Sequence, residues 1–156
     1  MATTDDLLYF ECDSGCANCG IRDTRTLTVH HMEQSKPKNE DYDNKIVLCH
    51  NCHHCHHNGK GPTSEELQVI KRRLIIKTLT LPGMNALKQA YRRGTVVAMP
   101  FLVNHMIELR YLEYKEQVTH MRLLSPGQNP EDLADNTVVY AITERGKQFV
   151  EKWALN

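Results

Sequence analysis

Nine consecutive residues, Cys49 to His57, read C-H-N-C-H-H-C-H-H and hold three of the chain's six cysteines and five of its nine histidines. Thiolates and imidazoles at this density are ligands for a soft or borderline metal, most often Zn²⁺. A chain that ties several of them to one ion has few paths left to take. A His-rich tract that binds metal adventitiously is the bland alternative. It leaves the flanks unexplained: the β-prone run Ile46-Val47-Leu48 leads straight in, and a second cysteine pair, Cys16 and Cys19, stands far upstream.

Cys16-Ala17-Asn18-Cys19-Gly20 has the two-residue spacing of a zinc knuckle, a tight turn that points both sulfurs at one ion, and Gly20 suits the positive φ such turns need. Cys16/Cys19 and Cys49/Cys52 together supply four thiolates, which close a tetrahedral Zn²⁺ site with no open position, so this site reads as structural. Cys55 in place of Cys52 is the alternative register, in which the histidines lose their spacing; Cys12 and Cys55 otherwise read as free thiols. A unit of about 60 residues with few large apolar side chains needs such a staple.

The rest of the chain falls into two parts. Residues 5–11 read as a short helix or strand, Leu27-Thr28-Val29 as a strand ending in His30-His31, and residues 33–43 as a polar surface loop. Asn58-Gly59-Lys60-Gly61-Pro62 is a stop signal, and the boundary is placed there, giving domains 1–62 and 63–156. Thr63-Ser64-Glu65-Glu66 is a capping-box pattern that opens a helix with Leu67, Ile70, Leu74 and Ile75 inside. Leu81-Pro82-Gly83 breaks it. A second helix carries Met84, Leu87 and Tyr91, and a third starts near Pro100 with Leu102, Met106 and Leu109 inside. Two β-rich stretches, 111–124 and 138–142, flank a polar loop, and a last amphipathic helix carries Phe149, Val150 and Trp153. The fold class is therefore α+β.

His53 and His57 are four apart, so a helix puts both rings on one face, the geometry that holds one catalytic metal. The order His30-His31, Asn44, His53-x-x-x-His57 resembles the HNH (His-Asn-His) endonuclease family and its ββα-metal fold, in the variant that carries two Cys-x-x-Cys pairs and ends in Leu-Cys-x-x-Cys-His-x-x-x-His. Residues 48–57 match that ending throughout, and the resemblance covers roughly residues 10–60. It implies that His30, His53 and His57 hold a catalytic divalent metal (Mg²⁺, Mn²⁺, Ni²⁺ or Zn²⁺). It further implies that His31 is the general base and that Asn44 holds the loop bearing His31. An imidazole suits a general base because its ordinary pKa, about 6.5, lies near working pH. His50, His54 and His56 lie off the pattern and read as solvated. Lys36, Lys38 and Lys60 are candidates for the basic residue the family often places near its active site.

In the C-terminal half, Val139-Tyr140-Ala141-Ile142-Thr143-Glu144-Arg145-Gly146 resembles the second wing strand and final helix start of winged-helix regulators, and Leu109-Arg110-Tyr111-Leu112-Glu113 their exit from the recognition helix. The resemblance implies three helices, two wing strands and a helix. Its recognition helix would expose Asn104, His105, Glu108 and Arg110, a poor stock of cations for a major groove. Arg92, Arg93, Lys115 and Arg122 are the candidate phosphate contacts; a protein partner or a homodimer is the alternative use of this domain.

Charge alone does not select nucleic acid. The net charge is zero, with −3 over residues 1–62 (6 Lys/Arg against 9 Asp/Glu) and +3 over 63–156 (13 against 10). No run approaches the roughly 20 apolar residues of a membrane span. Asp5 and Asp6 stand where a signal peptide would be basic, which points to a cytoplasmic compartment, where clustered cysteines favour metal over disulfides; the reading as a whole is of a bacterial or phage-encoded protein. The expected activity is metal-dependent hydrolysis of a DNA phosphodiester. The alternative is a non-cleaving, zinc-containing DNA-binding regulator or protein-interaction module.

Overall fold

The computed structural model describes residues 4–117 and 137–155. The chain divides into two compact units, Met1–Thr78 and Leu79–Asn156, and is of mixed α+β class, with five α-helices and two small antiparallel sheets among the described residues. None of those helices is long and apolar enough to cross a membrane.

In the first unit, helix α1 (Thr4–Glu11) begins with Asp5 and Asp6, acids that complement the partial positive charge of a helix start. Strands β1 (Leu27–His31) and β2 (Lys45–Cys49) form a hairpin in which Leu27 faces Cys49 and His31 faces Lys45. Every residue of β2 is buried. Helix α2 (His50–His57) starts directly from the strand end, because Cys49 also caps it: its sulfur accepts the Cys52 N–H at 3.4 Å. The hairpin connection is not wholly a surface loop. Tyr42, Asp43 and Asn44 form a buried single turn of 3₁₀ helix at its end.

Helix α3 (Ser64–Arg93) opens with the capping box: Thr63 Oγ1 accepts the Glu66 N–H at 3.2 Å, and Glu66 Oε2 accepts the Thr63 N–H at 2.7 Å. It breaks at Thr80 (φ 58°, ψ 165°), one residue before the Leu81-Pro82-Gly83 signal. The two compact units divide just before this break, between Thr78 and Leu79, and ionic contacts tie the earlier part of α3 to the rest of the first unit. Lys71, fully buried, donates to Glu11 Oε1 at 2.6 Å and lies 3.8 Å from the Tyr42 ring centroid, while Tyr42 Oη donates to the second Glu11 oxygen. Lys77 reaches Asp13 at 3.0 Å. The buried stripe is thus Leu67, Lys71 and Ile75, with Ile70 and Leu74 only half-buried.

The second unit contains one strand more than the sequence pattern suggests. Strand β3 (Thr95–Ala98) precedes helix α4 (Pro100–Glu108), and strands β4 (Leu112–Gln117) and β5 (Val138–Ile142) follow, in the spatial order β3-β5-β4. Four residues between two helices are too few for their alternation to register in sequence. Helix α4 buries Val103 rather than Leu102, together with Met106. Helix α5 (Glu144–Lys152) is capped by Thr143, whose hydroxyl accepts the Gly146 N–H at 3.0 Å and donates to Arg110 O at 2.7 Å. Gly146 is required because a Cβ there would lie 2.2 Å from the Tyr111 carbonyl. The helix seats Phe149 on the Tyr111 ring, with centroids 4.1 Å apart.

Burial pushes the Glu11 carboxyl up and the Lys71 ammonium down, and each is the other's main offset. Removing one partner strands a buried charge, which costs about 3–5 kcal/mol. Lys71→Met is expected to lose that much in urea unfolding of the zinc-loaded protein, and Glu11→Gln/Lys71→Met to recover most of it.

Candidate metal centre

Two clusters of potential ligands form on the hairpin–helix frame, from Cys16, Cys19, Cys49 and Cys52 and from His30, His53 and His57; within each, the ligand atoms all lie within 4.8 Å of one another. The cysteine cluster is built by two turns. In the knuckle, Gly20 adopts φ 76° and its N–H returns to Cys16 O at 2.8 Å, while Cys16 N donates to Ile21 O at 2.8 Å. The second pair sits where β2 becomes α2. Ala17 N donates to Val47 O at 2.9 Å, which docks the knuckle on β2.

The sulfur geometry fits a tetrahedral zinc. Zn–S bonds near 2.3 Å place sulfurs about 3.8 Å apart across the ion, and Cys19 and Cys49 stand 3.7 Å apart. The sulfurs also conflict electrostatically. Burial opposes ionisation of Cys16, but the backbone amides of Cys19, Cys49 and Asn18 bring it down to about 7. Cys52 is pushed up to about 12 by burial, which the Asn18 side chain only partly offsets, and by the neighbouring thiols. A dication at the centre would resolve that conflict by stabilising all four thiolates. Asn18 Nδ2 donates to Cys52 Sγ at 3.3 Å, a polar contact to the ligand sphere that nothing in the sequence pattern singles out. The Cys₄ cluster can hold a structural zinc ion. Cys12 lies apart, its thiol donating to Leu8 O at 3.1 Å, and Cys55 is a free thiol outside both clusters.

The histidine cluster joins β1 to α2. The Nε2 atoms of His53 and His57 are 3.2 Å apart, close to the roughly 3.3 Å that two nitrogens on one tetrahedral zinc would show. His30 is buried from solvent, and its Nε2 has no hydrogen-bond partner among the described residues. An orphaned buried nitrogen on a ring grouped with two other imidazoles suits a metal ligand. Burial first, then the His53, His56, His57 and His31 rings, pushes His30 down to about 4, so its lone pair is available at neutral pH. His53 is lowered by the same kinds of cause, burial foremost.

His56 is not simply solvated. Its ring packs edge-on to His30, with centroids 4.9 Å apart, and its Nδ1 lies 2.6 Å from Pro62 O. The segment 58–62 reaches back this far because Gly61 lies against the last turn of α2, where a Cβ would sit 2.6 Å from that of Cys55. His50 and His54 are exposed, as are Lys36, Lys38 and Lys60.

His31 is the last residue of β1 and stays outside the three-ring cluster. Its Nε2 lies 3.1 Å from Glu40 Oε1. Asn44, fully buried, ties down the connection between the strands: Oδ1 accepts the Glu33 N–H at 2.8 Å, and Nδ2 donates to Asn39 O at 2.9 Å and to Glu33 O at 3.3 Å. Of the proposed phosphate contacts in the second unit, Arg92, Arg93 and Lys115 are exposed, and Arg122 lies outside the described residues. Asn104, Glu108 and Arg110 are exposed on or beside α4, but His105 turns inward toward Gly83.

No family model, curated protein or solved structure matches this chain.

The two ligand clusters can be separated by substitution. Cys19→Ser, at an exposed ligand, is expected to lower tightly bound zinc by one equivalent and to lower the thermal midpoint. His53→Ala should keep that zinc and the fold. It should weaken binding of a second divalent ion by about 100-fold or more, since even outer-shell partners are worth 10–100-fold. Elemental analysis after dialysis and a Co²⁺ titration followed by visible absorbance check both.

Proposed function

We propose that the first unit is an HNH-type nuclease domain that hydrolyses DNA phosphodiester bonds with a divalent metal. The observation that carries the reading is the histidine cluster of a two-stranded hairpin and the helix that follows it, His30 on β1 with His53 and His57 one turn apart on α2. The four-cysteine cluster shares this helix through Cys52 and its cap through Cys49. Three neutral imidazoles leave positions open around an ion, unlike four thiolates. When bound there, the metal supplies Lewis-acid stabilisation of the charge that develops on the scissile phosphate and the leaving 3′-oxygen.

The chain's own residues do the rest. His30, His53 and His57 orient the ion. His31, adjacent to a ligand yet outside the ligand set, keeps a ring nitrogen for the attacking water, from which it takes a proton. Asn44 fixes the connection between the strands and so the surroundings of His31.

The second unit is read as winged-helix-like: a three-stranded sheet with a helix before the hairpin and one after it. As a DNA-positioning element it would use Arg92, Arg93 and Lys115. A specific observation favours a protein contact or a homodimer instead. The exposed side chains from β3 into α4 include Val97, Met99 and Phe101, with Phe101 69 % exposed, and among the described residues α4 itself (Pro100–Glu108) carries no Lys or Arg. In that reading the protein is a zinc-containing regulator or interaction module, and its first unit does not cut.

Nicking of supercoiled plasmid with Mg²⁺, Mn²⁺, Ni²⁺ or Zn²⁺ decides between them. Wild type is expected to cut with at least one metal, and folded, zinc-loaded His31→Ala to cut about 10²–10⁴-fold more slowly, the usual worth of a general base. No cutting by wild type under any of these conditions would favour the regulator.

A further inference from the structure

The connection between β1 and β2 holds a carboxylate that the metal-site pattern does not include. Glu40 Oε1 lies 3.1 Å from His31 Nε2, and Glu40 Oε2 lies 2.9 Å from Lys45 Nζ. His31 and Lys45 are cross-strand partners in the hairpin, so ring and ammonium approach the same carboxylate from adjacent strands. Both are largely enclosed, their side chains 18 % and 9 % exposed. Lys45 also reaches Asp5 Oδ1 at 3.3 Å. The Lys45 ammonium first, and the His31 ring second, hold the Glu40 carboxyl below the usual carboxylate range, so it is an acceptor on both oxygens at neutral pH.

Glu40 is pinned from both sides. The carbonyl of Asn39, the residue before it, accepts from Asn44 Nδ2 at 2.9 Å. Asp41, the residue after it, donates its N–H to Asn39 Oδ1 at 2.9 Å, and its carbonyl accepts the Asn44 N–H at 3.0 Å. Buried Asn44 thus fixes the backbone on either side of the carboxylate.

We propose that Glu40 is the positioning residue for His31: its carboxylate accepts the Nε2–H of His31, which fixes the ring and leaves Nδ1 as the lone pair that takes the proton from water. A carboxylate only accepts, so a neutral His31 facing it must carry its proton on Nε2. In the hydrolysis, the proton of the attacking water passes to Nδ1, the water oxygen forms the new bond to phosphorus, and the bond from phosphorus to the 3′-oxygen breaks. That oxygen then takes a proton from solvent. Glu40, whose side chain is 62 % exposed, touches neither the substrate nor the attacking water; it acts through the ring, as the aspartate does in a Ser-His-Asp triad. Asn44 and Glu40 become one device, in which the amide sets the backbone that aims the carboxylate. The inference rests on the nuclease reading of this site.

The test uses the full-length, zinc-loaded chain and the variants Glu40→Ala and Glu40→Gln. In plasmid nicking, Glu40→Ala is expected to lower kcat on the order of 100-fold, no more than loss of the base itself, with KM unchanged. Glu40→Gln, whose amide oxygen still accepts, should recover much of that loss. Independently of cutting, proton NMR of wild type should show a downfield, slowly exchanging ring N–H, assigned to His31 by its absence in His31→Gln. That signal should vanish in Glu40→Ala and persist, shifted, in Glu40→Gln. If wild type cuts and Glu40→Ala cuts equally well, or if the His31 ring signal is unchanged in Glu40→Ala, the positioning role is wrong and the nuclease reading stands. If wild type cuts nothing while the ring signal follows Glu40 as described, the pairing is real but its catalytic role falls together with the nuclease reading.

Discussion

Four sulfurs drawn to one point determine where most of the first unit can go. Cys16 and Cys19 belong to a knuckle with no regular structure of its own, whereas Cys49 and Cys52 lie where a fully buried strand turns into a helix. Bringing the pairs together docks the knuckle on β2 and fixes the direction in which α2 leaves the sheet. Cys49 serves as strand end, helix cap and candidate zinc ligand at once. Once that direction is set, the i, i+4 geometry of a helix carries His53 and His57 over His30 on the neighbouring strand. The histidine cluster is in this sense a consequence of the cysteine cluster. A unit this small, with few large apolar side chains, has little else to enforce such an arrangement.

What the sulfurs leave loose, buried polar groups hold. Lys71 and Glu11 join α3 to α1, and Tyr42 is in contact with both. Tyr42 begins the short turn that ends in Asn44, so the ionic core lies next to the residue that fixes the hairpin connection. A charge-bearing core is costly where partners are missing and restrictive where they are all present. Here it restricts the stretch from Glu33 to Asn44, which faces the candidate catalytic histidine. The second unit uses a different device, a helix cap and a glycine against the Tyr111 carbonyl, to close its last helix on a small sheet.

Helix starts were legible because they are local. The capping box at Thr63 and the proline near the start of α4 each depend on residues a few positions apart. The hairpin strands were legible from short β-prone runs, and the break near Leu81 from proline and glycine. Strand β3 was not, since its four residues pair only with β5, some forty positions later. Lys71 was not, because a lysine in a helix reads as solvated until a buried acid sixty positions earlier in the chain claims it. His56 and His105 were taken for exposed rings on pattern alone; a carbonyl in a following turn and a glycine in another helix draw them inward.

The sequence by itself determined the two Cys-x-x-Cys pairs, the pairing of two histidines on one helix face and the α+β class. Each follows from residue type and short spacing, which fix local geometry whatever the rest of the chain does. Only the tertiary structure decided that His30 meets His53 and His57 with a buried, unpartnered nitrogen, and that Asn44 braces both ends of a loop. It alone placed Glu40 between His31 and Lys45. Those outcomes depend on which distant polar groups find each other once apolar surface is removed from water. A buried donor or acceptor must be satisfied, and its partner is chosen by proximity in the fold, not along the chain.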